Sequence, residues 1–480
     1  MSHGIHASQR WLALYILCLG VLMIVLDSTI VNVALPSIRE DLHFTETSLV
    51  WVVNAYLLTF GGFLLLGGRL GDLFGHRRIF LLGLAVFTVA SLACGIATSR
   101  TMLIAARAVQ GLGGAVVSAV ALSLVMNVFP EPDERAKAMG IYGFVCSGGG
   151  SIGVLLGGLL TSTLNWHWIF LVNVPIGIAV YLLCRALIPA GRGIANAPKL
   201  DFAGAITVTV SLMLAVYAIV NGNEAGWSSM ATLVKLGAAL LLLITFLVIE
   251  SKVAAPLMPL SLFRMRSVSA ANVIAVLWAA GMFAWFFISA LYLQLVLGRG
   301  PMEVGMAFLP ANVIMAICSL GISAKLVMRF GIRGPLTAGL LLAMGGLLLF
   351  ARAPADGTVW LDVVPAMSLL GVGAGIAFNP LLLAAMNDVP ADESGLASGM
   401  VNTSFMMGGA VGLAVLASLA AAKSAGSSAQ GMPTIEALNQ GYHWAFGAGA
   451  AFVLLAIVMG WLIFSKAATP VAAPAGSHHL

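Results

Sequence analysis

Long apolar runs alternate with short polar stretches along this chain from Trp11 to Phe464, and almost no charge interrupts the runs. Each run holds about 18 residues or more, enough for a helix to cross a hydrocarbon core of ~30 Å. Lipid offers no partner to an unpaired backbone group, so such runs cross as helices. Hydropathy places about fourteen spans, near residues 11–35, 48–67, 79–98, 101–128, 137–160, 168–188, 202–221, 232–250, 268–297, 304–328, 335–351, 360–380, 397–421 and 442–464. The pattern predicts an all-α polytopic membrane protein. The run from Trp11 to Ala34 is too long for a removed signal peptide and lacks a small-residue cleavage pattern, so it reads as the first span.

Composition agrees: of 480 residues, 60% are hydrophobic and 9% charged, more apolar surface than a soluble core can hide. The net charge of +5 is a matter of loop asymmetry rather than of a nucleic acid partner. With the N terminus inside, sixteen Lys and Arg fall on the cytoplasmic side and six on the outer side, with Arg107 inside a span. An even number of spans returns the C terminus to the cytoplasm, so both termini are expected there, in a multi-pass protein of the cytoplasmic (inner) membrane. All five cysteines lie within spans, which speaks against loop disulfides. No Cys or His cluster has metal-ligand spacing, and His478 and His479 read as inert tail residues. There is no HExxH and no catalytic carboxylate pair, so an enzyme is disfavoured and no cofactor or metal is expected.

An internal repeat divides the chain. At an offset of 256 residues Arg69 matches Lys325, Phe74 matches Phe330, Gly75 matches Gly331 and Arg77 matches Arg333, while Asp72 has no acidic counterpart. Two related six-helix bundles are a transporter pattern, with the binding site expected between them near the midplane. The expected units are an N-terminal bundle at 1–189, two inserted helices with their cytoplasmic linkers at 190–267, a C-terminal bundle at 268–466 and a disordered tail at 467–480.

Asp27 is the acid placed least comfortably. A charge near the bilayer centre costs roughly 2.5 to 3.5 kcal/mol on the lenient scale, and such groups face a watery cavity or a cation. Arg107, in the fourth span, lies at a matching depth of ~10 to 14 Å at 1.5 Å per residue. Arg107, Gln110, Gly111, Gly114 and Ser118 share one helix face. Pairing of Asp27 with Arg107, direct or through water, is the cheapest way to bury both. Two readings follow: a pair that gains and loses a proton as access alternates, or a permanent structural ion pair.

Other candidates are less specific. Gly68, Arg69, Gly71, Asp72, Gly75, Arg77 and Arg78 fall in a short cytoplasmic turn, either a gate or a positive-inside anchor, in which Asp72 can pair with Arg77, Arg78 or a helix end. Gly149, Gly153, Gly157 and Gly158 form a stripe for close helix contact, echoed by Gly408 and Gly412. Trp278, Trp285 and Tyr292 recur every seven residues on one face, able to stack on a flat cation or simply to pack. Tyr56, Gln110 and Gln294 are further substrate candidates, as is Asn54. Asn32 points away from Asp27, toward an interhelical hydrogen bond. Asp362 is the alternative second titrating group, with a surface role as its rival.

The motifs together resemble one family. GRLGDLFGHRR (Gly68–Arg78) is similar to the signature loop of the major facilitator superfamily. LDSTIVNVALP in span one, RAVQGLGGA in span four, GGSIGVLLGG in span five, WHWIFLVNVPIG (Trp166–Gly177) and LYLQ (Leu291–Gln294) resemble the fourteen-span drug:proton antiporters, the QacA and EmrB group. The resemblance implies a major facilitator fold and proton-driven export of hydrophobic, often cationic drugs or dyes, with Asp27 and Arg107 at the family's span-one acid and span-four arginine. It makes Gly68–Arg78 a cytoplasmic latch, and makes protons, small molecules, lipid and accessory proteins of the cell envelope the expected partners. Proton motive force, not a cofactor, would supply the energy. A narrow exporter of one endogenous metabolite would carry the same motifs. The span-five motif departs from the family where Val154 follows Gly153 in place of proline.

Overall fold

The computed structural model describes residues 7–129, 131–188, 200–390 and 393–464. The expected tail and most of the first linker lie outside them. Fourteen helices run through the described residues. The first bundle comprises α1 (Ala7–Asp41), α2 (Glu46–Phe74), α3 (His76–Gly95), α4 (Arg100–Val128), α5 (Pro132–Thr163) and α6 (Trp168–Leu187). Then come α7 (Phe202–Ala225) and α8 (Met230–Lys252). The second group is α9 (Arg266–Val296), α10 (Pro301–Phe330), α11 (Arg333–Phe350), α12 (Val359–Met386), α13 (Ser394–Ala429) and α14 (Thr434–Ile463). All but α5 contain, among the described residues, a stretch long and apolar enough to cross a membrane, and α5 itself is 32 residues long.

Local chemistry sets several ends. Thr45 caps α2 in a reciprocal capping box with Ser48, and Ser99 and Ser229 cap α4 and α8. The predicted loop at Gly68–Arg78 is not a loop. Helix α2 continues to Phe74 and α3 starts at His76, so the whole reversal falls on Gly75, whose φ of 90° suits a residue without a Cβ. The second repeat does the same: α10 ends at Phe330 and Gly331 turns the chain at φ 72°.

Within the first group α1 packs on α5, and α4 packs on both α2 and α3; within the second, α9 packs on α13 and α14, and α11 on α12. Two main seams join the groups, α2 on α13 and α5 on α10, with a smaller one of α1 on α9. Helix α7 lies against both α2 and α13, whereas α8 packs on α7 and keeps most of its surface outward. The glycine stripes are the reason α5 approaches α1, and α13 approaches α9, so closely. A Cβ on Gly149 would meet Val25, one on Gly153 would lie 2.9 Å from Leu26 O, and one on Gly157 would lie 2.6 Å from Ile30 O, all on α1. Gly158 faces the other group instead, against Pro301 and Met302 of α10. Gly408 and Gly412 sit in the same way against Val276 and Ala280 of α9. Packing is therefore what these stripes do here.

Candidate functional site

Five helices of the first bundle converge on Asp27. Arg107 Nη1 donates to Asp27 Oδ2 at 2.5 Å and to Gln110 Oε1 at 2.7 Å. Gln110 Nε2 donates to Asp27 Oδ1 at 2.7 Å and to Ser91 Oγ at 2.9 Å, and Asn173 Nδ2 donates to Asp27 Oδ1 at 3.2 Å. Arg107 and Gln110 come together because i and i+3 share a helix face on α4. Ser91 and Cys94 arrive from α3, Asn173 from α6, and the Cys94 thiol completes Gln110 at 3.7 Å. Asp27 is 0% exposed and Arg107 1% exposed, so each carboxylate oxygen depends on these donors for the partners that water would otherwise supply.

Arg107 holds further partners that do not involve the acid. Its Nε donates to Val52 O at 2.8 Å, and its guanidinium lies 4.4 Å from the Tyr56 ring centroid and 5.6 Å from that of Phe170. A cation over aromatic faces is attracted by the ring quadrupole. These contacts tie the arginine to α2 independently of its bond to Asp27.

The pairing expected from depth is present, and it is direct. No watery cavity opens beside Asp27 among the described residues: in this conformation the carboxyl is sealed, with Arg107, Gln110 and Asn173 as its partners. Gln110 and Tyr56, placed among the substrate contacts by sequence, belong to this cluster, with the Tyr56 hydroxyl buried and without a hydrogen-bond partner among the described residues. Asn32 does not reach another helix; its amide donates to Ser28 O and Thr29 O on its own helix, because a short side chain on α1 finds those carbonyls first.

The aromatic stripe is also closed. Trp278, Trp285 and Tyr292 are buried in the second group, with Trp278 against Phe378 and Phe405, Trp285 against Phe286 and Phe308, and the Tyr292 hydroxyl donating to Pro354 O at 2.7 Å. All three are buried here, although both indole N–H groups lack a partner among the described residues. Gln294 and Asn54 instead bridge the seam. Gln294 Nε2 donates to Val33 O of α1 at 2.9 Å and Asn54 Nδ2 donates to Ala410 O of α13 at 2.8 Å. A π-turn at Tyr292–Val296 carries Gln294, the kind of local insertion that re-aims a side chain. Asp362 caps its own helix start, accepting from Thr358 N at 2.7 Å.

At the far end, the sequence-predicted partners of Asp72 are replaced by His76, whose Nε2 lies 3.2 Å from Asp72 Oδ1, one turn along across the Gly75 reversal. Arg77 donates to Arg185 O at the end of α6. Its repeat partner Arg333 stacks 3.9 Å from the Trp461 ring at the end of α14. In both bundles this arginine therefore ties the turn to the last helix. Gly71 closes on His76 and Val120, with no room to spare for a side chain. Gly68 has open space around it, and Arg69 and Arg78 form no ion pair among the described residues.

Asn173 and Ser91 of this cluster are not among the residues that the sequence singles out. Asn173 stands in WHWIFLVNVPIG, where a lone amide inside an apolar run was the available signal; Ser91 carried none.

The family profile described as Major Facilitator Superfamily matches residues 17–413. Among curated relatives, the puromycin resistance protein of Streptomyces alboniger is 37% identical over 464 residues, covering 95% of this chain and 92% of that protein. The cephamycin export protein of Amycolatopsis lactamdurans is 38% identical over 450 residues, covering 93% and 91%. The tetracenomycin C resistance and export protein of Streptomyces glaucescens is 34% identical over 420 residues, covering 86% and 77%. Among solved structures, a bacterial homologue of the human lysosomal transporter Spinster superposes with a TM-score of 0.64 at 17% identity, over 95% of this chain and 97% of that one. That last likeness concerns the fold.

Proposed function

The chain belongs to the major facilitator superfamily and is a membrane transporter rather than an enzyme, and from that premise we propose that it is a proton-coupled antiporter exporting hydrophobic, often cationic compounds from the cytoplasm by alternating access. Two of its relatives are antibiotic export proteins by name and a third is named for puromycin resistance, which supports the outward direction. The observation that carries the proton is the sealed cluster at Asp27, an acid in the membrane with one cation, Arg107, and two neutral hydrogen-bond donors, Gln110 and Asn173, arranged around it. An ionised Asp27 neutralises Arg107 and favours a cationic substrate nearby; a protonated Asp27 is neutral and releases it. Arg107 keeps Val52 O, Gln110 and the Tyr56 ring through either state, so the change is confined to the carboxyl. Since that carboxyl is closed to solvent here, proton exchange belongs to conformations in which the bundles rock apart at one end. Each net charge moved inward gains about 2.3 kcal/mol per 100 mV of membrane potential. Both termini and the Gly68–Arg78 turn are assigned to the cytoplasm of the inner membrane on the Lys and Arg bias.

The test is ethidium transport in everted vesicles under an imposed proton gradient. Wild type is expected to accumulate dye until a protonophore is added, and Asp27→Asn and Arg107→Ala to abolish accumulation. Undiminished accumulation in both variants would refute the assignment. Two of the relatives are named for export of a single antibiotic, which favours a narrow exporter as the second reading. A panel of unrelated cations that compete for ethidium transport separates a broad pump from that narrow one.

A further inference from the structure

The two inserted helices bring together two acids that the transport cycle above does not use. Asp201 caps α7, its Oδ1 accepting from Gly204 N at 2.7 Å. Glu250, in the last turn of α8, accepts Met258 N on Oε2 at 3.1 Å. Each has one oxygen left over. Asp201 Oδ2 and Glu250 Oε1 have no hydrogen-bond partner among the described residues, although the side chains are only 4% and 3% exposed. Both free oxygens crowd the same point above Gly204: a Cβ there would lie 2.9 Å from Glu250 Oε1 and closer still to Asp201 Oδ2. The acids therefore face each other across the one position that lacks a side chain.

Nothing cationic answers them among the described residues. Lys252, Arg264 and Arg266 are exposed, and Arg69 of α2 is half-buried without an ion pair to either acid. The residues next in the chain to Gly204 and Met258 belong to an apolar cluster: Ala205 and Leu257 pack with Leu66 of α2, with Met258 and Leu70 against them. No third His, Cys, Asp or Glu among the described residues joins the pair to make a metal site. Two carboxylate oxygens crowded on one dry point repel each other when both are ionised, whereas a proton shared between them turns two orphan acceptors into a donor and an acceptor.

We propose that Asp201 and Glu250 hold a single proton between Asp201 Oδ2 and Glu250 Oε1, a second proton-binding site separate from Asp27. The pair then carries one negative charge instead of two, and Glu250 is free to keep Met258 N. Met258 is the residue through which this matters. It packs at once on the α2 and α7 cluster around Leu66, on Val208, Phe246 and Met407, and on Leu262, Val268 and Met400. The shared proton thereby clamps segment 253–265 onto α2 and α13, across the seam between the bundles.

Infrared difference spectroscopy of the full chain in detergent at neutral pH tests this without any transport assay. In an Asp27→Asn background, a protonated-carboxyl C=O band that shifts on deuteration is expected, and it should be lost on adding either Glu250→Gln or Asp201→Asn. Identical spectra with and without those substitutions would overturn the proposal. Melting in the otherwise wild-type chain gives a second measure. Gln at 250 reproduces the protonated acid and Asn at 201 remains a good helix cap, so Glu250→Gln and Asp201→Asn should melt with wild type while Glu250→Ala melts lower. An equal loss for Glu250→Gln and Glu250→Ala would also count against a held proton.

Discussion

Asp27 and Arg107 can be neutralised one at a time or together, and the three results need not be symmetrical. Asp27→Asn leaves a guanidinium that is 1% exposed and faces only neutral partners, Val52 O, Gln110 Oε1 and the aromatic rings. Removing one partner of a buried pair costs about 3 to 5 kcal/mol, and these surviving contacts place the variant near 3. Arg107→Gln leaves the acid, which keeps Gln110 and Asn173 as donors. A carboxyl stranded in that way can take up a proton and become neutral, whereas arginine has no neutral form within reach. The expected cost is therefore smaller, about 1 to 2 kcal/mol for the lost hydrogen bonds. In the double variant no charge is buried, so its loss should fall short of the sum of the singles by about 1 to 3 kcal/mol. Reversible unfolding in mixed detergent micelles, followed by circular dichroism, supplies all four corners of the cycle. Strict additivity, or a larger loss for Arg107→Gln than for Asp27→Asn, would refute the argument that an uncompensated cation is the costly species.

Asn173→Leu removes one donor to a charged oxygen and should lower stability by about 1.5 to 3 kcal/mol, with export reduced even where protein levels are matched; wild-type export at matched levels would exclude Asn173 from the coupling cluster. Gly153→Ala pushes α5 off α1 at Leu26, next to Asp27, and should cost about 1 to 3 kcal/mol of overpacking, seen as a lower melting point. Gly75→Ala and Gly331→Ala force a Cβ into backbone at φ 90° and 72°, a strain of order 1 to 3 kcal/mol each; an unchanged melting point in both would mean the turns relax freely. Gln294→Leu cuts the bond to Val33 O and should shift the conformational balance away from this closed seam by roughly fivefold, the equivalent of about 1 kcal/mol. Spin labels placed across the α1–α9 seam would report that shift as a longer distance.

The helices themselves were readable from the one-dimensional pattern, because in lipid a span must be continuous, apolar and long, and each of those properties is local. Asp27 and Arg107 were readable for a related reason. Charges in such runs are so costly that few are tolerated, and matching depth on two spans left little choice of partner. The repeat at Gly75 and Gly331 was visible as matched residues, and the shared positive φ gives it its physical basis. What lay beyond the sequence was direction and neighbourhood. Whether Trp278 and Trp285 face a cavity or a core depends on which helices stand beside α9, and Asp72 chose His76 because α2 continued where a loop was expected. Asn173, Ser91 and the Asp201–Glu250 pair sit far apart in the chain from what they meet, on helices whose own apolar pattern says nothing of the facing side. Hydropathy is a property of one helix at a time, whereas burial of a polar group is decided by the several helices that surround it.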